Sequence, residues 1–356
     1  MVIRTKIKVR GILIIGFVSL ISWLMGGVII KLIICGNGLD IHVGLNTSYR
    51  AYRDYLVNKK IYEGESAISI IEKSDFFIPR DKDCWTDLEN ALTFDYRKYI
   101  TQYIDAFDRD IDVNNYETSI AQMNSAKQFF KNNPQDIARD FTNNWFWEWI
   151  AREYYNNIED ICYKNSNDNI HEVIDRDCIC INFNYTHTLE DMFDINKTNV
   201  LYIHNRLPDK RNLNDKGIDF ERDILALAKK QFQFGSVNNY LDEWINFANS
   251  IKLKSSQKLM SKKSLIDNLK EIYYAFSKKL SMNYDVLSKF IDENKTKITE
   301  VIVLGHSMLG VDEPYYRDVI VPKLKDVHWD VYWHKFDDAS IFIEKYKLPE
   351  AKSKEW

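Results

Sequence analysis

Four runs of apolar residues, each ending in polar ones, constrain this chain more than any other feature. Leu32 to Cys35 carries no charge after Lys31 and runs into Gly36-Asn37-Gly38-Leu39-Asp40. Cys178 to Ile181 runs into Asn182-Phe183-Asn184-Tyr185-Thr186, Val200 to Ile203 ends on His204, and Val301 to Leu304 leads to Gly305-His306-Ser307 with Asp312 close behind. Short apolar runs without alternation read as strands buried on both faces, the pattern of a parallel sheet. In an open α/β sheet the carboxyl ends of such strands converge on one crevice, where ligands bind. The four polar tips are therefore expected to meet.

The first tip has the form of a tight loop. Gly36 and Gly38 permit positive φ angles and close backbone approach, and Asn37 tolerates the left-handed region. A strand, a glycine loop and a helix in that order hold nucleotide phosphates or ribose in many α/β proteins, so Gly36, Asn37 and Gly38 are read as backbone donors to phosphate. Gly-Asn-Gly also makes an ordinary turn, and the weight comes from the other three strands.

Between the strands the pattern is helical. Thr47 or Ser48 can cap a helix carrying Tyr49, Tyr52 and Tyr55 on one stripe. Apolar and aromatic residues recur at three- and four-residue intervals from Trp85 to Phe107 and from Pro134 to Ile161, where Trp145, Trp149 and Tyr154 read as core packing. Phe220 to Glu293 is helix-rich as well. Glu313 to Leu324 reads as a helix with Pro314 in its first turn, and His328 to His334 as a late strand. The expected architecture is a doubly wound, Rossmann-like parallel sheet over 31–356, with helical insertions at about 50–175 and 220–293.

A formal net charge of −4 over 356 residues, with a pI near 6.0, argues against a dominant nucleic-acid surface. Lysines gather at Lys252, Lys254, Lys258, Lys262, Lys263, Lys278 and Lys279, but acidic residues are interleaved, and the cluster reads as a solvated helical face. The cysteines are Cys35, Cys84, Cys162, Cys178 and Cys180, an odd number that fits a reducing cytoplasm better than a disulfide framework. Cys178, Cys180, Cys162 and His171 lack the paired spacing of zinc sites, so no metal is expected.

Residues 1–30 stand apart. Arg4, Lys6, Lys8 and Arg10 precede the uncharged stretch Gly11 to Ile30. About 20 apolar residues span a bilayer, so a membrane anchor is one reading. The positive-inside rule would then export the rest of the chain, against its thiols and its nucleotide site. A hydrophobic segment packed on the fold, or a leader translated ahead of a start at Met25, are the others. Cytoplasmic location is expected, with membrane attachment through residues 11–30 as the alternative.

Taken together, Ile34 to Tyr49, Phe183-Asn184-Tyr185-Thr186 and Leu304-Gly305-His306-Ser307 with Asp312 resemble the AbiH family of bacterial phage abortive-infection proteins. Trp85-Thr86-Asp87-Leu88-Glu89 is similar to that family's W-x-D-L-E stretch, and the resemblance extends from about Lys31 to beyond His334. Three positions depart from the family pattern. Leu39 replaces an aromatic residue, Asn46 a proline, and Asn205 a glycine that often follows the histidine. The resemblance implies antiviral defence in a bacterium, set off by a phage-encoded trigger.

The order of motifs is also similar, more distantly, to sirtuin-like NAD-consuming domains, although Thr186 stands where those carry an aspartate. That likeness implies cleavage of NAD or a related nucleotide through an oxocarbenium-like centre. Asn184 would orient water or ribose hydroxyls and His204 would act as base. Asp40, Gly305, His306, Ser307 and Asp312 would hold a ribose or the loops themselves. Simpler roles compete: Asn184 and Asp312 as caps of the helices that follow them, His204 as a satisfied core histidine. Ser307 as a hydrolase nucleophile is disfavoured, because Leu309 occupies the place where a sharp elbow needs a small residue. Three function classes remain open: a nucleotide-hydrolysing enzyme, a sensor of a nucleotide or phage product acting through a partner, and a membrane effector.

Overall fold

The computed structural model describes residues 30–61, 64–73, 85, 88–92, 94–107, 120, 134–165, 169–209, 241–252, 258–278, 280–333, 338–348 and 350–355. The apolar stretch from Gly11 to Ile29, Cys84 and Lys279 lie outside them.

Six parallel strands form one sheet: β1 (Ile30–Cys35), β2 (Ile179–Asn182), β3 (Val200–Tyr202), β4 (Ile298–Leu304), β5 (His328–Trp333) and β6 (Lys352–Glu355). Their order, β3-β2-β1-β4-β5-β6, is that of a doubly wound Rossmann-like sheet. Register explains why the polar tips meet. Cys35 lies opposite both Asn182 and Leu304, and Asn182 opposite Tyr202. Four strands therefore end in one row, and the residues that follow are delivered side by side.

Alternation along the strands feeds two cores. Ile33 and Cys35 of β1, Cys180 of β2, and Ile302 and Leu304 of β4 pack into the core on one face. Leu32 and Ile34, Ile179 and Ile181, and Val301 and Val303 pack into the core on the other. Both faces are covered, which is why these strands read as continuous apolar runs. Leu32, Ile33 and Ile34 are fully buried, and burial of each such side chain contributes roughly 1.5–3 kcal/mol.

Six helices position the site. Helix α1 (Asn37–Val43) starts directly after β1. Helix α2 (Tyr49–Asn58) is capped by Ser48, whose Oγ accepts the Ala51 N–H at 3.2 Å. Helix α3 (Trp145–Lys164) buries the expected aromatic stripe, with the Tyr52 ring 5.0 Å from Trp149 and 5.3 Å from Phe146. Helix α4 (Thr188–Phe193) follows β2, while α5 (Lys258–Phe276) and α6 (Leu280–Asn294) lie between β3 and β4. Among the described residues no helix is long and apolar enough to cross a membrane.

Three details differ from expectation. Gly36 has an extended φ of −127° and Gly38 lies within α1, so neither uses a left-handed conformation; Gly305 does, at φ +57°. The glycines are needed instead for a backbone crossing. The Gly38 N–H donates to the Gly305 carbonyl at 2.7 Å, and a Cβ on Gly38 would sit 2.5 Å from Gly305 Cα. Finally, β6 is a charged edge strand without an apolar run, tied to β5 by the Lys354–Asp330 ion pair.

Candidate functional site

A cavity of about 360 Å³ opens where the strand ends meet. Asn37 and Asp40 reach it from α1, Phe183 and Asn184 from beyond β2, His204 from beyond β3, and Gly305, His306, Ser307 and Asp312 from beyond β4. Gly36 and Gly38 do not line it. Their N–H groups are taken by the carbonyls of Leu304 and Gly305, so two of the three phosphate-cradling donors expected there are already committed to the protein.

Asn184 ties two strand ends together. Its Nδ2 donates to the Gly36 carbonyl at 2.8 Å and its N–H to Asn182 Oδ1 at 2.7 Å. It does not cap α4, whose cap position is held by His187 without a side-chain bond. Asn37 Nδ2 donates to the Thr47 carbonyl at 2.8 Å. Asp40, buried behind them, accepts the hydroxyls of Thr188 and Thr186 at 2.6 and 2.7 Å. Burial pushes its carboxyl up to about 6, although those two hydroxyls pull the other way.

Asp312 occupies the cap position of the helical turn starting at Glu313 but makes no capping bond. Its carboxylate instead gathers three side chains. Lys278 Nζ lies 2.9 Å away, His204 Nε2 3.1 Å and His306 Nε2 3.3 Å. Lys278 also reaches Glu89 at 2.6 Å, and Glu89 accepts the Tyr49 hydroxyl at 2.8 Å. His306 stacks on Phe183 with ring centroids 4.1 Å apart and has its Nδ1 2.8 Å from the Tyr316 hydroxyl. Tyr316 opens a π-helical turn, Tyr316–Ile320, a widening often found beside functional sites.

The electrostatics of this cluster follow from burial around a single lysine. Burial alone would lower Lys278, but Asp312 and Glu89 outweigh it and hold the ammonium above the usual lysine range. Burial alone would raise Asp312; Lys278 and then His204 bring it well below the carboxylate range. Glu89 stays raised by burial despite Lys278. Burial and then Lys278 push His204 down to about 4, against the pull of Asp312. His204 is thus a neutral imidazole whose Nε2–H donates to Asp312, the tautomer that this ionised carboxylate selects. Its Nδ1 is buried and has no partner, and neither has Thr47 Oγ1, a second buried atom on the same cavity. A buried acceptor without a donor costs on the order of 1–3 kcal/mol and calls for a ligand or a function.

Sequence reasoning missed part of the site. Lys278, read as one of a solvated lysine cluster, is buried at the joint between α5 and α6. Nothing local separates it from Lys279. Glu89 stands in the W-x-D-L-E motif without a role, Thr47 and Tyr49 read as cap and helix residues, and Tyr185 as part of a polar strand end. Ser307 is exposed, and its Oγ has no imidazole partner among the described residues, so no nucleophile–base pair forms there. The Cys178 thiol donates to Asp175, while His171 Nε2 contacts the Asn165 carbonyl. Two of the three family departures have local reasons. Asn205 sits at φ +68°, where asparagine is the best substitute for glycine, and the Asn46 N–H, which proline would lack, donates to Glu153 at 2.7 Å.

A parallel sheet in this order, with four polar strand ends around one cavity, defines a Rossmann-like α/β protein with a crevice at its topological switch point, the place where such folds bind ligands. The family model for bacteriophage abortive infection AbiH matches residues 32–333, most of the chain, and the protein belongs to that family. Its role is therefore in bacterial abortive infection of phage. No curated protein and no solved structure matches it.

Proposed function

We propose that this protein carries out abortive infection as a cytoplasmic enzyme, using the crevice to bind a nucleoside-type ligand and to break a bond at its sugar. The reading rests on one observation. His204, a residue of the cavity wall, is held neutral by burial and Lys278 and in a single tautomer by Asp312, with a buried Nδ1 that finds no partner in the protein. That is the arrangement of a base awaiting a hydroxyl or a water molecule. Asn184, fixed through its Nδ2 to the Gly36 carbonyl, keeps its Oδ1 as an acceptor to orient the same group. Cleavage of a glycosidic bond needs few protein groups beyond these, because the oxocarbenium-like centre is stabilised by nearby negative charge, here Asp312.

The test is phage protection together with nucleotide content. Cells carrying the wild type, Asn184→Ala or His204→Gln are infected and their NAD and related nucleotides followed through the infection. A loss of one nucleotide in wild-type cells, absent in both variants along with protection, is the expected result. Full protection by His204→Gln at wild-type protein levels would end the catalytic reading. Protection lost in the variants with no nucleotide consumed by the wild type would leave a sensor instead.

A further inference from the structure

The chemistry of the cavity wall specifies which part of a nucleotide it can take, an inference that rests on the reading above and deepens it. Three carboxyl groups line the cavity, those of Asp40, Glu89 and Asp312. Among the described lining residues Lys278 is the one permanent cation, and two of those carboxylates hold it at 2.6 and 2.9 Å. No positive charge is left over for a phosphate. The glycine N–H groups that would cradle one are bonded to Leu304 and Gly305. A phosphate entering here would face carboxyls that outnumber the cation among buried residues, where like charges repel more strongly than in water.

What the cavity does offer is acceptors and apolar rings. The unpartnered His204 Nδ1, an acceptor, and Thr47 hydroxyl, which can accept or donate, belong to residues of 2% and 3% exposure, which makes them a built feature rather than a solvated acidic patch. Phe146 and Phe183 add apolar ring surface to the wall beside them, Phe183 with one face already covered by His306. Acceptors call for a ligand rich in hydroxyl donors. Carboxyls that outnumber the cation call for positive charge, and aromatic faces for a flat ring or a cation. The carboxyl of Asp40, raised by burial and bonded to two threonine hydroxyls rather than to a cation, points the same way. The volume, about 360 Å³, lies at the small end of ligand cavities and suits one nucleoside-sized unit.

We propose that the cavity binds the cationic, unphosphorylated end of its substrate, a ribosylated pyridinium, and leaves any phosphate outside. The chemistry is then self-contained. The bond between the anomeric carbon and the ring nitrogen breaks, and its electron pair neutralises the pyridinium, which leaves as an uncharged base. The oxygen of a water molecule bonds to the anomeric carbon, and the proton it sheds passes to His204 Nδ1 and on to solvent. No acid is needed for the leaving group. That suits a site whose nearest charged groups are an ionised Asp312 and a Lys278 locked between carboxylates.

The experiment is calorimetric titration of the full chain with three probes: nicotinamide riboside, its uncharged dihydro form, and ribose 5-phosphate. The expected result is saturable binding of the cation, at least tenfold weaker binding of the dihydro form, and no displacement of the cation by ribose 5-phosphate. Asp40→Asn should weaken the cation more than the neutral form. The comparison of probes on the wild type stands even if that variant folds poorly. Equal or tighter binding of the dihydro form, competition by ribose 5-phosphate, or no binding of the cation would each overturn the proposal. If the charge preference fails while His204→Gln still abolishes protection and nucleotide loss, the enzymatic reading survives without it. If the cation binds as expected but His204→Gln protects fully, the binding inference stands and the catalytic one falls.

Discussion

Replacing Lys278 by methionine keeps the buried aliphatic stem and removes one charge, which isolates the role of that charge. Glu89 and Asp312 would then be two buried carboxyls with no cation between them. Removing one partner of a buried ion pair typically costs about 3–5 kcal/mol. The protein can limit that loss by keeping a carboxyl protonated. Protonating a group of ordinary value 4.5 costs about 4 kcal/mol at about pH 7.5, but only about 1 kcal/mol at about pH 5. The sign follows. Without Lys278 both carboxyls are raised in the folded state, so the variant loses stability as pH rises through their folded values. In the wild type Asp312 is depressed and contributes stability that disappears as pH falls. Urea unfolding at the two pH values should show a deficit of about 4 kcal/mol at the higher and roughly 1–2 kcal/mol at the lower. A deficit below about 1 kcal/mol at the higher pH, or one equal at both, would refute the buried-lysine argument.

Other perturbations read different parts of the site. Burial and Lys278 hold His204 neutral down to about 4, against its ordinary 6.5 and against the pull of Asp312. The wild type should therefore lose up to about 3 kcal/mol from this group as pH falls from 6.5 to about 4, and His204→Gln should not; parallel pH–stability curves would contradict this. Gly38→Ala places a Cβ 2.5 Å from Gly305 Cα and should cost on the order of 1–3 kcal/mol, seen as a lower melting temperature even without ligand; an unchanged melting curve would mean the two loops can separate freely. Asn205→Gly should be neutral within about 0.5 kcal/mol and Asn205→Val should cost about 1–2 kcal/mol, because φ is +68° there; thermal unfolding of the two checks it.

Much of this molecule can be read directly from its residues, for a physical reason. Strands buried on both faces must be apolar throughout, so Leu32 to Ile34, Ile179 to Ile181 and Val301 to Leu304 stand out in a chain otherwise mixed in polarity. The polar residues that follow them, Asn37, Asp40, Asn184, His204 and Asp312, could be named before their neighbours were known, because parallel strands end on one side of a sheet. Tertiary structure decided what those residues do. The sequence marks Gly36 and Gly38 as places of close approach, but not that Gly305 and His306 make the approach rather than a phosphate. It shows Lys278 beside Lys279 and Glu89 within a helix, more than 180 residues from it, but not that they meet. Such pairings depend on how two long insertions fold back over the sheet, and burial around Lys278 then sets the charge of Asp312 and the open nitrogen of His204. Local pattern encodes which residues leave the core at the strand ends; only packing across the chain decides which charges they share.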